Sequence, residues 1–293
     1  MLSLLNYITW DVSPLLYDGE HFAIWWWALF PVLGAAAYWA VLVCVFKYEN
    51  KPVNYANVIF IVSAFLGWLF AHVFRCVFYG WYELPDNVTI QGWGIIHHYI
   101  NPTLVEPLNL FRLNTGLSSH GVDLGIFLGA LLCARFLPYK TLWITDRMIV
   151  GRLAFQAIAR LEFFFMGTVY GYETTMPWGM IFALTGNPHP IHPTFLYETG
   201  IALMIMLVWW LSYRKWKGVP QGMLTGICLL LFYVTRFFIS FLKQEHMPFE
   251  HDWPIHMEQY LCIPYIIAAI IIIRIAIKKG NETPVLLRKH SKK

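Results

Sequence analysis

Charge is what this sequence of 293 residues has least of: Asp, Glu, Lys and Arg together make up 13%, about half of the roughly 25% usual in soluble domains. With 58% hydrophobic residues and a mean hydropathy of +0.53, a soluble enzyme on a single anchor is excluded and a polytopic membrane protein is indicated. Cysteine is sparse and never in Cys-x-x-Cys spacing. Cys44, Cys76, Cys133, Cys228 and Cys262 lie inside apolar runs and are expected to be buried thiols with no disulfide or metal role. No Gly-rich phosphate loop follows a strand, no internal repeat is visible, and nothing supports nucleic-acid binding. Histidines are frequent between the apolar runs (His97, His98, His189, His192, His246, His251 and His256), but none has zinc-type spacing on one helix, so neither a metal site nor a cofactor is expected. The opening stretch lacks a basic n-region and carries Asp11, Asp18 and Glu20, so no cleavable signal peptide is expected.

What the sequence does have is a series of apolar runs, at about 22–46, 56–79, 121–138, 148–166, 191–212, 221–242 and 257–277. Each is long enough to span a bilayer, and none shows the alternation of a barrel strand, so the expected fold is all-α. Seven transmembrane helices form one domain over residues 1–293. Aromatic residues, at 18%, exceed what interfacial belts require, so some rings should line the interior. Segments 80–119 and 167–190 are too long for tight turns and are expected to form external interfacial arms. In the first of them Trp81, Tyr82, Trp93, Ile95 and Ile96 are candidates to lie in the interface. If successive ends alternate sides, one set of loops, with Arg152 counted among them, holds 16 of the 21 Lys and Arg. The positive-inside rule then places those loops and the basic tail 278–293 in the cytoplasm and the amino terminus outside.

A charge near the bilayer centre costs about 2.5–3.5 kcal/mol on insertion scales, so each one present needs a partner, a cavity or a function. Three segments carry such groups. In 116–125, His120 stands at the start of the third helix. Ser118 or Ser119 is placed to cap it, and Asp123 to complement the helix dipole or to orient the imidazole of a general base. In 159–171, Arg160 and Glu162 are two positions apart and cannot neutralise each other on one helix face. In 232–246, Arg236 sits mid-run with Lys243 beyond it. Two guanidinium groups from different helices could clamp a phosphate; the competing reading is structural ion pairs, Arg236 with Glu198 and Arg160 with Glu258. Pro193 reads as a helix start, with Tyr197 and Glu198 on the first turns.

Taken together, these motifs resemble the prolipoprotein diacylglyceryl transferase family of the bacterial inner membrane. Ser118, Ser119, His120 and Gly121 echo its S-F-H-G-G motif, and His192 to Glu198 are similar to its H-P-S-Q-L-Y-E motif. Phe232 to Phe241 resemble its sixth-helix Y-G-x-x-R-F-x-x-E-F, with Arg236 and Phe237 matching and Ser240 at the glutamate. Phe78 and Tyr79 fit its F-Y, and Gln259 and Pro264 its Q-x-L-S-x-P. The signature G-R-x-G-N-F-x-N-x-E-x-x-G falls on Ala159 to Gly171. It keeps Arg160, Phe164, Gly167 and Gly171, but has Phe163 and Met166 at the asparagines and Thr168 at the glutamate. Near the start of the first helix, Trp27 and Ala28 replace Tyr and Gly. The resemblance implies transfer of a diacylglyceryl group from phosphatidylglycerol to the thiol of a prolipoprotein signal peptide at the membrane. On it, His120, Arg160 and Arg236 are the catalytic candidates, and Arg160, Arg236, Tyr197, Glu198, Ser119 and Trp27 the substrate-binding ones. Two alternatives stay open: a related transferase using another anionic phospholipid or acceptor, and a non-catalytic lipid-binding or transport protein on the same fold.

Overall fold

The computed structural model describes residues 7–19, 23–79, 117–166, 171–215, 219–245, 250–251 and 253–280. Among them are seven long helices: α1 (Trp26–Tyr48), α2 (Val53–Tyr79), α3 (Ser119–Phe136), α4 (Thr141–Met166), α5 (Thr194–Lys215), α6 (Met223–Ile239) and α7 (Met257–Lys279). The protein is thus polytopic and all-α, as the apolar runs predict. Six of the helices are long and apolar enough to cross a membrane. The exception is α4, which carries Asp146, Arg147, Arg152, Arg160 and Glu162. It packs against α1 and α5 and touches α3 and α6, so most of its charge faces protein rather than lipid, the arrangement that makes intramembrane charge tolerable.

Two sequence expectations are corrected here. Helix α4 starts at Thr141, not near 148, because the charges that looked like a loop have partners. Asp146 accepts hydrogen bonds from Gly222 N (2.7 Å), Thr225 N (2.8 Å) and Thr225 Oγ1 (2.7 Å), satisfying donors at the amino end of α6 that would otherwise be orphaned. Arg147 pairs with Glu49 at 2.7 Å. Arg152 is not a loop cation either: it is 2% exposed in mid-α4. Pro193 immediately precedes α5, whose first residue is Thr194, in agreement with a proline-initiated helix.

Helices α2 and α3 are brought together by Gly121, Gly125 and Gly129, one per helical turn. A Cβ on Gly125 would lie 2.1 Å from the Leu66 carbonyl oxygen, and one on Gly121 2.2 Å from that of Phe70. Small residues at such spacing let backbones approach where apolar burial gives no advantage over lipid. Of the cysteines, Cys133, Cys228 and Cys262 are buried as expected. Cys44 is exposed on the α1 surface, because apolar runs in a membrane protein turn one face to lipid; the side chain of Cys76 lies outside the described residues.

At the end of the bundle where α1 begins, called here the arm end, short strands tie two segments together. Strand β1 (Ile8–Trp10) pairs in parallel with β4 (Met180–Phe182), while β2 (Leu15–Asp18) pairs antiparallel with β3 (Ala23–Trp25). Interior rings gather beneath them: Trp10 lies 3.8 Å from Phe164 between ring centroids, Trp26 4.6 Å from Phe165, and Phe164 5.4 Å from Phe195. The expected interfacial pieces at Trp81, Tyr82, Trp93, Ile95 and Ile96, the residues 167–170, the histidines His97, His98 and His246, and the tail from 281 lie outside the described residues.

Candidate functional site

Below the arm end, α4, α5, α6 and α7 bring five charged side chains together. Arg160 Nε lies 2.5 Å from Glu198 Oε2. Lys243 Nζ donates to Glu198 Oε1 and, at 2.7 Å, to Glu258 Oε2. Glu258 Oε1 accepts from Arg236 Nε at 2.6 Å. The order is therefore Arg160, Glu198, Lys243, Glu258, Arg236, with three cations and two carboxylates. Ser119 Oγ accepts from Arg236 Nη2 at 2.7 Å, and Ser240 Oγ donates to Glu258 Oε2 at 2.8 Å. Arg160, Glu198, Arg236 and Lys243 are each at most 8% exposed.

The ion-pair reading of the sequence named the right four arginine and glutamate residues with the partners exchanged: Arg160 pairs with Glu198 and Arg236 with Glu258. Nor are the two arginines bare, as a simple clamp would have them. Their guanidinium groups are nonetheless not used up. The Arg160–Glu198 contact is close but off the hydrogen-bond axis, and Arg160 Nη2 and Arg236 Nη1 are buried with no hydrogen-bond partner among the described residues. A buried N–H left unpaired costs about 1–3 kcal/mol, more on a charged group. Such donors mark where an acceptor would be favourable.

Backbone structure holds Lys243 in place. Just past the short 3₁₀ turn that ends α6, its residue bridges to Gly171, and Tyr172 N donates to Leu242 O at 2.9 Å. A Cβ at 171 would strike His192 O at 2.4 Å and Leu242 O at 2.9 Å, so this close strand contact requires glycine.

His120 lies next to this group through Ser119. It is 2% exposed, with its ring beside those of Tyr233 and Tyr265 (centroids 5.6 and 5.7 Å) and Nε2 3.6 Å from Cys262 Sγ. The Tyr265 hydroxyl donates to the His120 carbonyl. Asp123 does not orient the imidazole, contrary to expectation. It accepts from Arg152 Nε at 2.5 Å and from Arg152 Nη2 and the Tyr233 hydroxyl, since a fully desolvated guanidinium on α4 is the stronger partner. The serines also differ from expectation: Ser118 is the N-cap residue of α3 without a side-chain capping bond, and the Ser119 hydroxyl serves Arg236.

Tyr197 and Glu198, adjacent in sequence, face different surroundings. The Tyr197 hydroxyl contacts Trp178 Nε1 (2.9 Å) and His192 Nδ1 (3.0 Å), so it belongs to the arm rather than to the charged group. Burial pushes the His192 imidazole below the ordinary histidine pKa. Trp27 is in the first turn of α1, with its side chain outside the described residues. Arg152, Tyr233, Cys262 and Tyr265 were not predicted from sequence. The signal for part of this set was present on α7, where Glu258, Cys262 and Tyr265 recur at i, i+4 and i+7 and face inward together.

Comparison with known proteins bears on what such an arrangement serves. A sequence model described as prolipoprotein diacylglyceryl transferase matches residues 14–275. The chain is 29% identical over 282 residues to the phosphatidylglycerol–prolipoprotein diacylglyceryl transferase of Chloroherpeton thalassium, covering 94% of this chain and 97% of that protein. It is 26% identical over 275 residues to the one of Bacteroides fragilis, with 92% and 95% covered. The one of Oleidesulfovibrio alaskensis is 31% identical over 216 residues, covering 68% and 79%. These matches run through the helices that carry the charged group, and the chain belongs to the prolipoprotein diacylglyceryl transferase family.

Proposed function

We propose that this membrane protein transfers the diacylglyceryl group of phosphatidylglycerol to the cysteine thiol of a prolipoprotein signal peptide. The observation that carries the reading is the buried group of three cations and two carboxylates with unspent guanidinium donors on Arg160 and Arg236. Such a site carries one net positive charge and suits one anionic phosphate. In the reaction the sulfur attacks the glycerol carbon, a C–S bond forms, and the C–O bond to phosphate breaks. The thiol proton passes to a base, and glycerol phosphate leaves as a more highly charged monoester. Donors fixed where that charge grows stabilise the transition state more than the diester.

Arg160 and Arg236 hold the phosphate in this scheme. Glu198 and Ser119 fix the guanidinium groups, and His120 is the base that takes the thiol proton. Its Nε2 is within reach of a sulfur, Cys262 Sγ at 3.6 Å, the contact a base must make with a thiol. Tyr197, held by Trp178 and His192, and residue 27 in the first turn of α1 lie at the arm end, from which the peptide approaches on this reading. The arm end faces outward, because Lys47, Lys51, Lys140, Lys278 and Lys279 sit at the opposite end. A periplasm-active reporter fused after Lys279 gives no signal on this reading, and a bright one overturns the orientation.

The activity is tested with purified protein, phosphatidylglycerol and a lipobox peptide, following glycerol phosphate release and the mass of the peptide. Wild-type protein should add one diacylglyceryl group, and Arg160→Gln, Arg236→Gln and His120→Ala should each abolish the addition. An unmodified peptide with the wild type overturns the reading; activity that survives His120→Ala removes His120 as the base.

A further inference from the structure

Four residues beyond Arg236 the chain has Ser240, and a carboxylate lies against it, supplied by another helix. Residue 240 follows Arg236 by four, one turn along the end of α6, and lies three residues before Lys243 across the 3₁₀ turn, so an acid there would stand beside both cations. What stands there is a serine with no exposed surface, whose hydroxyl donates to Glu258 Oε2 at 2.8 Å. Glu258 makes the contacts an acid at 240 would make: with Arg236 Nε at 2.6 Å and with Lys243 Nζ at 2.7 Å. We infer that Glu258 is the positioning residue that aims Arg236 at the phosphate, doing from α7 what an acid at position 240 would do from the end of α6.

The geometry of the guanidinium explains what that positioning does. Glu258 and Ser119 together occupy the Nε and Nη2 edge of Arg236, leaving Nη1 buried and unpaired. A planar fork held along one edge cannot swing, so its remaining donor has a fixed direction. The same inner face of α7 reaches His120 through Cys262 and Tyr265. Placing the acid on α7 instead of α6 therefore sets the arginine and the histidine from one element. It also makes both depend on how α6 and α7 pack, which they do closely: a Cβ on Gly226 would meet Ile273 Cγ1 at 2.5 Å.

Moving the acid to position 240 is the test. This inference rests on the transferase reading for its kinetic readout, and phosphatidylglycerol retention through purification supplies a second readout that needs no turnover. Glu258→Ala should lower kcat for glycerol phosphate release by about 100-fold, the scale of a misplaced catalytic group, and lipid retention by about ten-fold. Ser240→Glu alone adds a third carboxylate, cancels the net positive charge of the group, and should also reduce retention. The double variant Ser240→Glu with Glu258→Ala should recover both readouts to within about threefold of wild type, as compensating neighbours do. Recovery of thermal stability without recovery of kcat or retention would show a merely structural contact and overturn the inference, as would unchanged kcat and retention in Glu258→Ala. A wild type that retains phosphatidylglycerol but releases no glycerol phosphate overturns the transferase reading alone, and the retention series still decides the role of Glu258.

Discussion

Replacing Lys243 with methionine separates the two jobs a buried ammonium can have, holding helices together and setting the charge of a site. In the folded protein its Nζ contacts both Glu198 and Glu258, while each of those carboxylates also has an arginine. Losing two charge-assisted hydrogen bonds costs about 1.5–3 kcal/mol each. The variant also avoids burying an ammonium, which costs several kcal/mol. The two terms oppose each other, and the net change in stability should be about 1–2 kcal/mol. The effect on an anion has no such offset. The ammonium is one carboxylate away from Arg236, so a phosphate on the guanidinium lies roughly 6 Å from it. At an effective dielectric constant of about 20, that charge contributes about 2–3 kcal/mol, or about 30- to 150-fold in affinity. Binding should therefore suffer more than folding. The measurement is the dissociation constant for phosphatidylglycerol in nanodiscs of neutral lipid, beside a thermal scan of the same samples. Lys243→Arg, which keeps the charge, should stay within about tenfold of wild type. If Lys243→Met binds phosphatidylglycerol as the wild type does while melting far lower, Lys243 is a strut and the charge argument fails.

Three further outcomes follow from the geometry. Gly125→Ala should force α2 and α3 apart and lower the melting temperature by several degrees or prevent accumulation, because its Cβ would lie 2.1 Å from Leu66 O. Gly200→Ala, with nothing within 4 Å, should leave both unchanged; equal behaviour of the two would contradict the close helix contact. Arg152→Met should destabilise by about 3–5 kcal/mol by stranding Asp123, whereas Arg152→Met with Asp123→Leu should recover most of the loss, since hydrophobic replacement of a buried pair is often neutral; unfolding in denaturant reports both. His192 has its pKa lowered by burial, so below the ordinary value of about 6.5 the undocked arm takes up a proton before the docked one. The arm should hold at pH 7 and above and loosen as the pH falls through that range. Trp178 fluorescence follows this, and His192→Gln should flatten the profile; an unchanged profile in that variant would exclude His192 as the titrating group.

The sequence alone settled the fold class and the places of the seven long helices among the described residues. Apolar runs of bilayer length permit only helices that satisfy their own backbone groups, and the run boundaries at α1, α2, α3, α5, α6 and α7 follow from composition. It also singled out Arg160, Glu198, Arg236 and Glu258, because a charge inside an apolar run stands out whatever its partner, and His120 and Lys243 at the ends of such runs. What it could not settle was who pairs with whom. Arg160 and Glu198 lie on α4 and α5, Arg236 and Glu258 on α6 and α7, and Asp123 turns to Arg152 rather than to the nearer His120. Helical spacing fixes which residues share a face within one helix, but pairing between helices depends on their rotation and depth, which packing sets. Close approaches such as Gly125 on Leu66 decide that packing, and so does the burial of α4 at the centre of the bundle. Only in that assembly does the carboxylate of Glu258 come to rest on Ser240 and join the two arginines through Lys243.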